Sequence, residues 1–390
     1  MSYYNLDEAH LRIEKVRKIL AIKNLDAALV YYDELNIANG WYLTGWAPQF
    51  EKGAVLIPRS GKPLLLGGPE SEPFAKMSSA ISETRCFPVF MVPEEEYPNA
   101  VIIDFKKLND ELKQNGTVLN NIGFVGTATI PLQVFTQFQE GFSGVAIVDI
   151  TDEFEDLRAH KSVWEIECMK KAFEMTDLAY DEMIKKIYPG VYEYEVAAAG
   201  EYICRKKGAN SFAYATIVGS GERAQAVVPT AINRQMRDGE LVMIGIAPRY
   251  CGYAGTFGDT VPVKGVYTPT QKTLLNHMRE TLRLTKAMLK PGISGREIDA
   301  PGRDYYKKHD LAKYIVCPFA HTIGLMEAEA PFYGPNSDDV LEPGMAVMVD
   351  VSFFGHPELN GGRIETGYII TGTGCEPFSK KMDDYFMKDL

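Results

Sequence analysis

The chain has 390 residues, of which 46% are hydrophobic, 11% aromatic and 24% charged. That balance excludes a disordered, collagen-like or disulfide-stapled chain, and the length suits two domains. Lys and Arg number 41 against 52 Asp and Glu, a formal charge of −11. This acidity argues against nucleic acid as the main partner, because phosphate recognition needs a basic face.

No apolar run approaches the ~18 residues that would span a bilayer, and the start, MSYYNLDEAHLRIEK, is too acidic and polar for a signal peptide. The six cysteines, Cys86, Cys168, Cys204, Cys251, Cys317 and Cys375, are scattered with no CxxC pair. The expectation is a reduced, cytoplasmic protein with no membrane partner.

Residues 9–23 place Ile13, Val16, Ile19 and Leu20 at helical spacing. Short apolar strands follow at Asp26-Ala-Ala-Leu-Val-Tyr, Ala54-Val-Leu-Ile-Pro and Pro63-Leu-Leu-Leu-Gly. Such alternation predicts a mixed or parallel sheet with flanking helices. Residues 151–162, TDEFEDLRAHKS, are charged and show no clear period. The domain boundary is placed there, giving an N-terminal α/β domain at 1–155 and a second domain at 156–390. Residues 163–187 then carry Met169, Ala172, Phe173, Thr176, Ala179, Tyr180, Met183, Ile184 and Ile187, a helical core stripe.

The second half repeats itself. Tyr188-Pro-Gly-Val-Tyr-Glu-Tyr-Glu-Val returns in type as Lys290-Pro-Gly-Ile-Ser-Gly-Arg-Glu-Ile, with the Pro-Gly pairs 102 positions apart. Asp238-Gly-Glu-Leu-Val-Met-Ile and Pro343-Gly-Met-Ala-Val-Met-Val match likewise, their glycines 105 apart. A duplicated helix–helix–strand unit of about 100 residues follows, with a site between two related halves.

These segments, in this order, resemble the creatinase and aminopeptidase P superfamily, whose second domain is the pita-bread fold. Leu25-Asp-Ala-Ala-Leu-Val and Tyr42-Leu-Thr-Gly-Trp carry the resemblance in the first domain, and Arg158-Ala-His-Lys-Ser-Val-Trp-Glu-Ile carries it at the junction. Val218-Gly-Ser-Gly, Gly252-Tyr, His321-Thr-Ile-Gly-Leu, Leu341-Glu-Pro-Gly-Met and Gly362-Arg-Ile-Glu complete the series, which runs from about residue 8 to 378. The fold class implied is α+β: a creatinase-like α/β domain, then a pita-bread domain of two pseudo-symmetric halves.

The resemblance also implies a dinuclear centre of two Asp, one His and two Glu. By register those positions fall on Gly245, Thr256, His321, Asp350 and Glu365. Three ligands remain, too few to balance two divalent ions. Asp259, three residues beyond Thr256, would face the other side of a strand unless a bulge turned it inward. The expectation is therefore a site with no metal and no cofactor, with a single ion on His321, Asp350 and Glu365 as the open alternative. Metal-free creatinase sets the precedent, but its catalytic histidine falls near Val227 or Val228, its glutamate on Gly258 and its substrate arginine near Pro335.

His321 is the candidate proton carrier, with Glu365 and Asp350 as carboxylate partners. Candidate substrate contacts are Cys251 and Tyr253 between or beside the vacated positions, His356 in a loop, and Arg363 beside Glu365. Glu327 and Glu329, just after the His321 motif, line the pocket or face water. In relatives a loop of the first domain reaches the partner subunit's site. Here Phe50, Glu51 and Lys52 occupy that stretch, and a homodimer is implied. The function expected is a metal-independent hydrolase or lyase of a C–N bond in a small, zwitterionic compound. The alternatives are an atypical Xaa-Pro peptidase and a non-catalytic small-molecule-binding protein.

Overall fold

The structure is a computed structural model and describes residues 4–390. The chain divides into two compact units, Met1–Arg158 and Ala159–Leu390.

The first unit is built on a six-stranded sheet. Its strands run Thr84–Cys86, Leu64–Gly67, Lys52–Pro58, Ala27–Asp33, Asn121–Val125 and Ala146–Asp149 in spatial order. Ala27–Asp33 pairs antiparallel with Lys52–Pro58 and parallel with Asn121–Val125, so the sheet is mixed. An aromatic core of Phe87, Phe90, Phe105, Phe124, Phe138 and Phe142 packs on it, all essentially buried. The unit ends in a helix, Thr151–Ala159, where the sequence showed no period. Ile150, Phe154 and Arg158 are all buried at four-residue spacing. The stripe is therefore helical, but an arginine takes its last place and hides it from an apolar count.

The second unit shows the duplication directly. Helix Val163–Lys185 leads through Pro189-Gly190 into helix Glu193–Lys206, and helix Pro269–Ala287 leads through Pro291-Gly292 into helix Gly295–Lys308. Gly190 and Gly292 have φ of 91° and 85°, a conformation that suits glycine. Gly190 N–H donates to Met236 O at 2.8 Å, and Gly292 N–H donates to Leu341 O at 2.9 Å. Tyr192 then bridges Gln235 as Ser294 bridges Val340. Glu195 and Glu297 each accept from the residue before their helix, Tyr192 N and Ser294 N, both at 2.9 Å.

The two halves contribute to one antiparallel sheet. Its central order is Glu329–Phe332, Ala320–Thr322, Ala346–His356, Asn360–Ile370, Phe257–Pro262, Leu241–Ile246 and Ile217–Ser220, with Cys375–Pro377 also on Asn360–Ile370. Leu241–Ile246 and Ala346–His356 are matching strands of the repeat. Among the described residues, no helix is long and apolar enough to cross a membrane.

Candidate active site

The register of this sheet sets the site. Gly245 lies opposite Gly258, Gly258 opposite Glu365, and Glu365 opposite Asp350, a row across four strands. Directly opposed residues share a face. His321 lies opposite Met348, two residues before Asp350, and so joins that face with Arg363 and Ser352. Asp259 points the other way: Tyr180 Oη, from helix Val163–Lys185, donates to its Oδ2 at 2.9 Å.

His321, Asp350 and Glu365, all buried, bring one ligand atom each to within 4.8 Å of one another. His321 Nδ1–H donates to Thr322 O at 3.1 Å. Its Nε2 is left 3.7 Å from both Glu365 Oε1 and Glu327 Oε1. Burial opposes charge on His321, but Glu365, Glu327 and Asp350 outweigh it and raise the imidazole to about 9. Burial, with Asp350 and Glu327, pushes Glu365 up to about 8 against the pull of His321 and Arg363.

Two residues fill the room left by the missing carboxylates. A Cβ on Gly245 would stand 3.1 Å from Tyr214 Oη, which shares a 2.7 Å hydrogen bond with Thr256 Oγ1. Burial, with Glu365 and Glu327 nearby, holds the Tyr214 phenol protonated well above its ordinary range. A Cβ on Gly258 would meet Arg363 Cγ and Cδ at 2.8 Å. Arg363 Nη2 pairs with Asp350 Oδ2 at 3.1 Å, and Ser352 ties the pair together, accepting from Arg363 Nε at 3.2 Å and donating to Asp350 Oδ1 at 2.8 Å.

A five-ligand dinuclear centre does not fit this donor set. Positions 245 and 256 offer no carboxylate, Tyr214 stands where one would reach, and Arg363 already neutralises Asp350. One divalent ion does fit. Both oxygens of the fully buried Glu365 lack a hydrogen-bond partner, and the His321 Nδ1–H bond to Thr322 O leaves Nε2 facing the carboxylates, where an ion would displace its proton.

The other candidate substrate contacts have partners within their own neighbourhoods. Tyr253 Oη donates to Glu165 Oε1 at 2.7 Å, and Cys251 is a buried thiol. His356 Nδ1 accepts from Glu358 and Leu359 N–H at 3.2 and 3.4 Å, fixing its own turn. Glu51 is buried in the first unit and accepts from Ser71 N–H at 2.8 Å, while Lys52 begins a strand. Phe50 remains exposed at 74%. Glu329 neither lines the site nor meets water, since it is buried 3.5 Å from Lys161. Tyr214 went unread because nothing in its neighbourhood signals chemistry; only the glycine at 245 hints that something else occupies that space.

Architecture and retained residues together define a two-domain pita-bread protein. The pattern of metallopeptidase family M24 matches residues 167–372, and the creatinase/prolidase N-terminal domain matches residues 12–160. The chain belongs to family M24, a family of hydrolases. It is 30% identical over 296 residues to the Xaa-Pro dipeptidase of Pyrococcus furiosus, covering 74% of this chain and 83% of that protein. It is 27% identical over 371 residues to the Xaa-Pro dipeptidase of Pyrococcus horikoshii, covering 94% and 97%. The solved Xaa-Pro dipeptidase from Bacillus anthracis superposes with a TM-score of 0.80 at 26% identity, covering 96% and 98%. These relatives overturn the expectation of a metal-independent enzyme for non-peptide C–N bonds.

Proposed function

We propose that this chain is an Xaa-Pro-type peptidase with a reduced centre, hydrolysing short peptides at a site built on His321, Asp350 and Glu365. The observation that carries the reading is the closure of these three buried side chains to within 4.8 Å. They sit on a scaffold similar, over almost its whole length, to Xaa-Pro dipeptidases.

His321, Asp350 and Glu365 would hold one divalent ion, which when bound would polarise a carbonyl and acidify a water. The chain's own groups do the rest. Thr322 O orients His321, and Arg363 with Ser352 fixes Asp350. The protonated Tyr214 phenol is a neutral donor at the edge of the cluster. Glu327, whose side chain is 20% exposed, stands at the edge of the cluster 3.7 Å from His321 Nε2, placed to exchange a proton with a water there.

The same reading includes a homodimer in which the exposed Phe50 turn is offered to the partner, and a cytoplasmic setting for the six thiols. Light scattering of the wild type and Phe50→Ala tests the dimer. For the activity, Xaa-Pro dipeptides are incubated with the protein while Mn²⁺ or Co²⁺ is titrated and bound metal is counted. Cleavage that saturates at one ion per chain and is lost in His321→Ala supports the reading. Absence of cleavage with every divalent ion tried refutes it.

A further inference from the structure

Helix Val163–Lys185 and the hairpin Pro248–Ala254 are clamped at two points. Tyr253 Oη donates to Glu165 Oε1 at 2.7 Å, and Lys171 Nζ donates to Tyr250 Oη at 3.4 Å. Trp164 packs edge-on against Tyr253 at 5.7 Å. Just past the hairpin the backbones nearly touch: a Cβ on Gly255 would lie 2.5 Å from Phe173 N. Glu165, Cys168 and Lys171 follow at three-residue steps, so Cys168 lies between the other two on the helix surface. The hairpin turns at Cys251-Gly252 with φ of 51° and 85°, both in the left-handed region. Cys168 and Cys251 therefore lie between the two clamps, each on the side of its element that faces the other.

We propose that Cys168 and Cys251 are a redox-modification site, a dithiol that a hydroperoxide converts to a disulfide and small thiols reopen. The two sulfurs are inequivalent. The neighbouring Cys168 thiol and the Lys171 ammonium favour the Cys251 thiolate, although burial opposes it, and its thiol is lowered from the ordinary range. Cys168, raised by its cysteine neighbour and by burial, stays a thiol. Cys251 is also the more exposed of the two, at 8% against 3%.

Cys251 thiolate attacks one peroxide oxygen, the O–O bond breaks, and the alcohol or water leaves with a proton. Cys168 sulfur then attacks the resulting sulfenic acid, whose hydroxyl departs with the Cys168 proton as water. Two thiols and one hydroperoxide yield one disulfide, one alcohol and one water. The link would tie the helix to a hairpin that also grips the chain before Glu327. Ala254 N–H donates to Gly324 O at 2.8 Å, and Arg249 Nε donates to Leu325 O at 2.9 Å.

The full-length reduced protein is treated with equimolar hydrogen peroxide under native conditions and read by intact mass and non-reducing peptide mapping. The expected result is loss of two hydrogen masses, a Cys168–Cys251 cross-linked peptide, and reversal by dithiothreitol. Cys168→Ser should stop at the Cys251 sulfenic acid, trapped by dimedone, and Cys251→Ser should form neither product. Survival of both thiols, or a link joining other cysteines, overturns the proposal, and the wild-type map decides this even if a variant fails to fold.

Discussion

The phenolic oxygen of Tyr214 stands 3.1 Å from where a Cβ on Gly245 would lie, so the loss of a carboxylate at 245 and the presence of this phenol are one structural fact. A carboxylate restored at 245 would crowd the phenol, so that Tyr214 or the strand must shift to admit it. Gly245→Asp with Thr256→Asp should leave metal stoichiometry at no more than one ion per chain and lower stability. Adding Tyr214→Ala should open room for a second ion. Elemental analysis of the Mn²⁺-equilibrated variants checks both outcomes.

Arg363 and Asp350 form a buried ion pair at 3.1 Å. Removing one partner of such a pair strands the other. Arg363→Ala should cost about 3 kcal/mol in urea denaturation. A divalent ion can then replace the lost positive charge, so Mn²⁺ should raise the melting temperature of the variant more than that of the wild type. Equal shifts would contradict the assignment of Arg363 as the competing cation.

Glu327 and Glu329 are two residues apart and have opposite roles. Glu329 accepts from Met326 N–H at 2.9 Å and is buried beside Lys161. Glu329→Ala should therefore cost about 3 kcal/mol of stability. Glu327→Gln should change stability by less than about 0.5 kcal/mol. On the proposed function, it should lower peptide turnover about tenfold or more by removing the acid/base group beside the cluster. Denaturation curves and steady-state rates separate the two.

Asp259 supplies a pH dependence away from the site. Burial raises its carboxyl from 3.8 to about 6, against the opposing influence of Arg279 and the Tyr180 hydrogen bond. Below pH ~4 the group is protonated whether the chain is folded or not. Between about pH 4 and 6 the unfolded chain releases the proton and the folded chain keeps it. The contribution of Asp259 to stability should fall across that window, by up to about 3 kcal/mol, and stay constant above it, while Glu365, raised to about 8, continues the decline to higher pH. Asp259→Asn, which can still accept from Tyr180, should make the wild-type decline smaller by that amount between pH 4 and 6. Unfolding free energies of both proteins from pH 4 to 7 test the sign.

The duplication was legible because its punctuation is chemical. Pro-Gly pairs and glycines at 239 and 344 mark turns whose backbone demands them, and both glycines have positive φ. The cluster of His321, Asp350 and Glu365 could be placed only through the register of a resemblance, since the residues come from three strands. What could not be read is how side chains are used. Tyr253, His356 and Glu51 look like substrate contacts from their neighbourhoods, yet each is committed to a nearby partner. The helix Thr151–Ala159 escaped because a buried arginine completes its stripe. Tyr214 escaped because its importance depends on a space, and sequence records no volumes.

The two halves of the second unit fold alike but do not share the work. His321, Glu327, Asp350, Arg363 and Glu365 all belong to the later half, while the earlier half offers the site Tyr214, Thr256 and two glycines. Genetic tolerance should follow that division. Substitutions along Leu241–Ile246 that respect volume would pass as neutral drift, whereas the hairpin Ala346–Ile370 would be held by purifying selection. The duplication thus gathers the candidate chemistry on one half and leaves the other to frame it.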